Sequence, residues 1–171
     1  GNPLELQQNV RELLDEASRD VNLPDDRILR ALIVPHAGYV YSGSTAAKAY
    51  RLLNNYRDEF RRIILLGPAH RVWIEGLAIP GVEAFETPLG RIPLAVTQIR
   101  ELLRFPEVQI RDDAHLEEHC LEVQLPFLQE LLGEFDLIPG VVGETSAETF
   151  SETLETLLQD SNSLLLLSTD L

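Results

Sequence analysis

Two short apolar runs, each followed closely by a proline and a histidine, constrain the fold of this 171-residue chain more than any other feature. The first is Ala31–Val34, followed at once by Pro35 and His36; the second is Arg62–Leu66, followed by Gly-Pro-Ala and His70. Runs of this length bounded by Pro and Gly are typical of buried strands. We expect two neighbouring parallel strands that carry both imidazoles at their carboxyl ends, the edge where open α/β sheets bind ligands.

Further apolar runs alternate with amphipathic stretches along the chain. Strands are predicted at 28–34, 62–66, 72–80, 108–110, 137–142 and 164–168, and helices after Asn2, after Gly43 with Ser42 and Ser44 as caps, at 95–104, at 115–132 with a break near Pro126, and at 146–159. Residues 81–90 are predicted to be a loop. The alternation predicts a single α/β domain over residues 1–171, a three-layer sandwich around a mainly parallel sheet.

Composition excludes some functions. The net charge of −14 disfavours binding to nucleic acid, and no apolar run reaches the roughly 18 residues that span a bilayer. Cys120 is the only cysteine, so no intrachain disulfide forms, which is typical of a cytoplasmic protein. The chain has no methionine, and the apolar run Leu164–Leu167 lies four residues from its end. We therefore expect a fragment in which this last strand lacks cover.

The two strand-end histidines are the first candidate site. Either histidine taken singly would be as well explained by a structural role, but His36 and His70 together indicate a metal site, since neutral imidazole binds zinc, iron and copper. Asp170 follows the last predicted strand and is expected at the same edge. There it would orient a histidine or act as a base, or it would cap a following helix.

The segment 112–124 offers a second constellation. His115, Glu118 and His119 spell H-x-x-E-H, a zinc-protease motif when it lies on a helix. The alternative is that the acidic residues of this segment, at 112, 113, 117 and 118, form a solvated helix start. His119 and Glu122 lie one turn apart and are expected to face the buried side. Cys120 is better interpreted as a packed small hydrophobe than as a thiolate ligand.

Four blocks of the chain occur in the order ALIVPHAGYVYSG, GPAH, EHCLEVQLPFLQ and LLLLSTDL. These blocks resemble the Memo family, whose bacterial and archaeal members are called AmmeMemoRadiSam system protein B. The resemblance covers essentially the whole chain. It implies the fold of class III extradiol dioxygenases and a pocket with two histidines and a cysteine that binds iron or copper. By this resemblance His36 and His70 are metal ligands, and Asp170, His119 and Glu122 line the pocket as candidate catalytic residues. Tyr39, in the first block, is expected to contact the substrate.

The chain departs from the family pattern at three points. The family's histidine after Asp170 and its cysteine ligand would both lie beyond Leu171, and Cys120 stands where the family usually has serine. The resemblance therefore implies a site whose third ligand is not in this chain, and a domain that lacks its C-terminal part.

Three functions follow. The first is a mononuclear Fe(II) or Cu site of dioxygenase type, with redox or oxygenase activity on an unknown small substrate; whether it turns substrate over is left open. The second is a non-catalytic module that binds a peptide or metabolite in the same pocket. The third, a zinc protease, leaves the edge with His36 and His70 unexplained. The expected partners are a small molecule or peptide and, as a further option, a second copy of the chain, with no nucleic acid and no membrane.

Overall fold

A computed structural model describes residues 2–17 and 28–170 of the chain. Within them it contains α1 (Pro3–Ala17), β1 (Ala31–Pro35), α2 (Ser44–Tyr50), β2 (Arg62–Pro68), β3 (Leu77–Ile79), β4 (Ala84–Thr87), β5 (Gly90–Pro93), α3 (Val96–Leu102), β6 (Val108–Ile110), α4 (Asp113–Leu116), α5 (Leu125–Leu132), β7 (Asp136–Val142), α6 (Ala147–Leu157) and β8 (Ser163–Thr169). None of the helices in these ranges is long and apolar enough to cross a membrane.

The central sheet has six strands in the order β1-β8-β2-β7-β3-β6. Adjacent strands in this sheet run parallel, except for β3 and β7, which run antiparallel to each other. Helices α1, α2 and α5 pack together, with α2 against β1. Helices α3 and α6 lie close to Ile138 of β7. By the register of the strands, the side chain of Ile138 is on the face of the sheet opposite to that of Leu32. The predicted α/β fold with a mainly parallel sheet between helical layers is confirmed.

Strand β8 corrects two expectations. It lies between β1 and β2, so the strands that carry the two histidines are not neighbours. Its residues Leu164, Leu165 and Leu166 are buried and Leu167 is half-buried, so the expectation that the strand lacks cover is wrong for the first three. Each such leucine contributes about 1.5–3 kcal/mol by leaving water. The order β1-β8-β2 therefore gives three adjacent strand ends that open on one edge.

Strand β1 is at the edge of the sheet and is only half buried. Leu32 and Val34 face the helices, whereas Ala31 is exposed and the side chain of Ile33 is 59% exposed. The prediction of a fully buried strand is therefore wrong for β1. The prediction that Ser42 and Ser44 cap the next helix is also wrong, because α2 begins without a side-chain cap. Between β1 and α2 the chain forms a π-helical turn, Tyr39–Gly43.

The predicted loop at 81–90 is mostly a β-hairpin. Strands β4 and β5 pair antiparallel, with Phe85 opposite Ile92, and Ile92 is buried. Pro88 and Gly90, which favoured a loop in the sequence, lie at the tight turn between the two strands. The predicted strand at 72–80 is also shorter, since only Leu77–Ile79 pairs in the sheet.

The helix predicted at 115–132 is interrupted earlier than expected. Helix α4 ends at Leu116, a short 3-10 turn covers Glu122–Gln124, and α5 follows. Pro126 lies in the first turn of α5, where the missing N–H costs nothing. The break comes at Glu118, whose carboxylate turns inward and accepts the backbone N–H groups of His119 and Cys120. Side-chain bonds of this kind compete with helix formation.

Gly76 has a φ of +81° and precedes β3. A Cβ at this position would lie 2.1 Å from the carbonyl oxygen of Glu107, which already accepts the N–H of Leu77 at 2.8 Å. We expect Gly76→Ala to lower the free energy of unfolding by about 3 kcal/mol, from backbone strain and overpacking together.

Gly133 supplies the matched control for this measurement. Its φ is +74°, but a Cβ there would have no neighbour within 4 Å. Gly133→Ala should therefore show only the backbone term, about 1 kcal/mol, in urea denaturation. Equal losses for the two variants would contradict the assigned contact between Gly76 and the Glu107 carbonyl.

Candidate metal centre

Three consecutive strand ends in the sheet converge at one edge. His36 follows β1, Asp170 follows β8, and His70 comes two residues after β2. The backbone N–H of His36 donates to the carbonyl of Thr169 at 3.2 Å, which fixes the first loop to the neighbouring strand end. The imidazole rings meet edge to face, with centroids 5.1 Å apart. One ligand atom from each of the three side chains lies within 4.8 Å of the others.

Asp170 joins the two rings. Its Oδ1 lies 2.7 Å from Nε2 of His36, and its Oδ2 lies 3.1 Å from Nε2 of His70. The hydrogen bond from His70, together with both nearby rings, lowers the pKa of Asp170. The carboxylate is therefore charged, and with a side chain 72% exposed it leaves this side of the group open.

The position of the hydrogen at Nδ1 of His36 follows from a buried amide. Nε2 of Gln124 donates to the carbonyl of Pro35 at 3.0 Å and to Oγ of Ser168 at 2.9 Å, while its Oε1 accepts from the hydroxyl of Tyr50 at 2.7 Å. Because a carbonyl can only accept and a hydroxyl hydrogen of tyrosine must be donated, these partners assign the amide unambiguously.

Ser168 transmits this assignment to the imidazole. Its Oγ accepts from Gln124 and donates its single hydrogen to the carbonyl of Cys120 at 2.5 Å. The contact from Oγ to Nδ1 of His36, 3.2 Å, must then be donated by an Nδ1–H. In this tautomer Nε2 presents a lone pair, and the nitrogen is buried with no hydrogen bond among the described residues, although Oδ1 of Asp170 lies 2.7 Å away.

His70 is oriented by a carboxylate instead. Nδ1 of His70 lies 2.9 Å from Oε1 of Glu118, and its backbone N–H donates to Oε2 at 2.8 Å. A carboxylate only accepts, so Nδ1 carries the hydrogen and Nε2 faces Asp170. The hydrogen bond to Glu118, followed by that to Asp170, raises the pKa of His70 above its ordinary 6.5.

Glu118 is buried and nonetheless charged. Burial alone would raise its pKa, but the hydrogen bonds from the side chain and backbone of His70 and from Cys120 outweigh it and lower the pKa to about 2. A buried carboxylate is stable when its lone pairs are satisfied in this way. It is thus a permanent acceptor for His70.

The donor set fits a metal ion. Two imidazole Nε2 atoms and a carboxylate converge within 4.8 Å of one another. A proton occupies this space where His70 donates to Asp170, and a metal cation would take its place between unprotonated Nε2 atoms and the carboxylate. Two histidines and one carboxylate with open positions are the ligands of mononuclear non-haem Fe(II) sites. Both rings also have the hydrogen-bonded Nδ1–H that metal-binding histidines usually show.

A second group overlaps the first. His70, Glu118 and Cys120 also bring one ligand atom each within 4.8 Å. The thiol of Cys120 is buried and donates to the carbonyl of Pro68, and burial, then the charge of Glu118, raises its pKa. A protonated thiol and a saturated carboxylate make this group a poorer ligand set than the one at Asp170. The geometry agrees with the packed role expected for Cys120.

The remaining candidates lie apart from these contacts. The expectation that His119 and Glu122 face the buried side is wrong: both side chains are exposed and pair with each other, with Nδ1 of His119 2.6 Å from Oε1 of Glu122. The hydroxyl of Tyr39 donates to the carbonyl of Val123 at 2.9 Å, and burial raises its pKa. His115 donates from Nε2 to the carbonyl of Ala78 at 3.0 Å. The catalytic and substrate roles expected for His119, Glu122 and Tyr39 stay predictions.

The geometry removes the basis of the zinc-protease hypothesis. That motif requires His115 and His119 on one helix face, but helix α4 ends at Leu116. Neither histidine belongs to a metal-ligand group among the described residues.

Three orienting residues were not identified from the sequence. The solvated interpretation holds for Asp112, Asp113 and Glu117, which are exposed, but it is wrong for Glu118. Gln124 and Ser168 are buried polar residues within or beside apolar runs, at 121–128 and 164–167. A lone polar residue in such a run was the available signal, because burial requires that it find a partner.

Glu118→Gln should lower both the stability of the protein and the pKa of His70. Removing a buried charged acceptor costs about 1.5–3 kcal/mol in the free energy of unfolding. In the native protein the ion pair contributes fully between pH 4.5 and 6.5, the ordinary pKa values of the two groups. Its contribution is lost as pH rises through the raised pKa of His70, and as pH falls towards 2.

Urea denaturation across this range and an NMR titration of the His70 ring measure the two effects. Glu117→Gln is the matched control, since Glu117 is exposed next in sequence and should change stability by less than about 0.5 kcal/mol. A His70 pKa that is unchanged in Glu118→Gln would contradict the assigned hydrogen bond.

Comparison with known proteins agrees with the resemblance seen in the sequence. The chain is 35% identical over 146 residues to a MEMO1 family protein of Aquifex aeolicus, 33% over 178 residues to the protein memo-1 homolog of Caenorhabditis elegans, and 33% over 154 residues to protein MEMO1 of Mus musculus. These alignments cover 83%, 99% and 84% of this chain and 53%, 48% and 50% of the relatives. The chain thus spans about half the length of the curated relatives it matches. The family model described as Memo-like protein matches residues 2–171, and the chain belongs to this family.

Proposed function

We propose that the chain binds a single divalent transition-metal ion through Nε2 of His36, Nε2 of His70 and the carboxylate of Asp170. The observation that carries this proposal is the commitment of both Nδ1–H groups to acceptors, Ser168 and Glu118. When Nε2 is unprotonated in both rings, that commitment directs both Nε2 lone pairs at Asp170, where a bound cation would satisfy all three groups.

Iron(II) is the metal we propose, with copper as the alternative. Imidazole suits both, and the combination of two histidines with one carboxylate favours iron(II). When bound, such an ion supplies open coordination positions for oxygen and a small substrate. The proposed activity is accordingly a redox or oxygenase reaction on a small molecule, and the exposed side of Asp170 offers a route of access.

Other residues have proposed roles around this ion. Asp170, expected from the sequence to orient a histidine or act as a base, is proposed as the third ligand. His119, with its ring oriented by Glu122, is the proposed acid–base group. Tyr39 has its hydroxyl committed to Val123, so its proposed contact with a substrate would be made by the ring. A small molecule or peptide partner, self-association and a cytoplasmic location stay predictions.

Equilibrium dialysis against Fe(II) under anaerobic conditions, and separately against Cu(II), tests the ligand set. His36→Ala and His70→Ala should each weaken metal binding by more than about 100-fold, because each variant loses one of the three ligands and keeps only two. Ser168→Ala should weaken it by about 10- to 100-fold, the usual effect of losing a group that orients a ligand. His115→Ala, whose ring bonds to the carbonyl of Ala78, is the control and should bind as the unmodified protein does.

Cys120→Ser separates the two overlapping groups. If His36, His70 and Asp170 bind the metal, Cys120→Ser should retain it, whereas Asp170→Asn should lose most of its affinity. The opposite pattern, retention in His36→Ala and loss in Cys120→Ser, would assign the ion to the group with Glu118 and overturn the proposal.

A further inference from the structure

A cavity of about 470 Å³ lies beside the metal centre, on the far side of Glu118. Hairpin strand β4 lines one side of it, and α4 with the segment after it lines the other. Apolar side chains, among them Phe85, Leu121 and Leu125, form much of the wall. The volume is within the range of about 300–1,000 Å³ typical of sites for small organic molecules.

The charged groups that line this cavity are all acidic. Glu86, Asp112, Glu118 and Glu122 contribute to it, and no lysine or arginine does. Glu118 is saturated by its bonds to His70 and the following backbone, and Glu122 pairs with His119. Glu86 and Asp112 therefore matter most for a ligand.

These two carboxylates have unused capacity. Oδ1 of Asp112 accepts the backbone N–H of Gly81 at 2.6 Å, which fixes the side chain and leaves its other oxygen for a donor. The side chain of Glu86 is exposed and makes no hydrogen bond or ion pair with other described residues; Arg91 is opposite it across the hairpin but not within ion-pair distance. A charged ligand group could thus be met by carboxylates that need not give up an existing partner.

The neutral polar side chains add acceptors rather than donors. His115 donates its Nε2–H to Ala78, and burial lowers its pKa, so the neutral ring offers only the Nδ1 lone pair. Its ring packs edge to face on Phe85, with centroids 6.3 Å apart. The hydroxyl of Thr87 is committed to Gln129 at 2.6 Å. A ligand that fits these groups must bring donors.

We propose that this cavity binds a small organic cation, a protonated amine attached to an aromatic or other apolar body. The ammonium group would donate to Asp112, with the exposed carboxylate of Glu86 adding attraction, and the apolar body would cover Phe85, Leu121 and Leu125. The ring of Phe85 adds a cation–π or stacking surface. A bare metal ion would leave the apolar wall in contact with water, and an anion would be repelled by the carboxylates. The site does not require the metal proposed above.

Binding of three matched probes tests the charge requirement. The probes are 2-phenylethylamine, which is cationic at pH 7, its neutral analogue 2-phenylethanol, and the anion 3-phenylpropanoate. Binding is followed by amide shifts in the NMR spectrum of the whole chain, with a chelator present. The amine should bind about tenfold or more tightly than the alcohol, and the anion should not bind, because the carboxylates bond only to a charged donor with full strength. The shifts should map to the hairpin and to α4.

Variants then identify the residues. Asp112→Asn keeps an acceptor for Gly81 and should weaken amine binding by about tenfold, and Glu86→Gln should act in the same direction. Glu83→Gln, an exposed carboxylate just before β4 and outside the lining, is the control. Phe85→Ala should weaken both amine and alcohol; if that variant does not fold, Asp112→Asn decides.

His36→Ala distinguishes this inference from the proposed function, since it should lose metal and still bind the amine. No binding of the amine up to about 10 mM, equal binding of amine and alcohol, or amine binding unaffected by both carboxylate variants would overturn the inference.

Discussion

The single hydrogen of the Ser168 hydroxyl determines which atoms of the centre are available for chemistry. Because that hydrogen goes to the carbonyl of Cys120, the oxygen can only accept from Gln124 and from His36. Ser168, Gln124 and Cys120 are buried, and each hydrogen bond in the series fixes the donor and acceptor roles in the next. The strand order β1-β8-β2 brings these groups within reach, since Ser168 is on the strand between the two histidines.

The two imidazoles are held by different kinds of acceptor. His36 donates to a neutral hydroxyl, whereas His70 donates to the buried carboxylate of Glu118. A carboxylate behind the ring makes its other nitrogen more basic, so His70 is the stronger electron donor of the pair. The centre is therefore unsymmetrical although its two histidines occupy similar positions after their strands. This asymmetry originates in one short stretch, the turn after α4 that directs Glu118 inward.

The sequence was sufficient to predict what depends on local pattern. Apolar runs located the strands, and their ends placed His36, His70 and Asp170 at one edge. Strand order is a non-local property, so the insertion of β8 between β1 and β2 could not be read from either histidine segment. The inward turn of Glu118 was missed for a related reason: its partner, His70, is 48 residues away in sequence. The hairpin at 84–93 was missed because its turn residues also favour loops.

Cys120 shows what burial does to reactivity next to such a centre. Its sulfur is enclosed, donates to the carbonyl of Pro68, and lies close to the negative charge of Glu118. Oxidants and electrophiles attack the thiolate rather than the thiol, and they need access to it. This cysteine is therefore unreactive, so the one sulfur atom of the chain lies beside the proposed metal centre and is protected from oxidation.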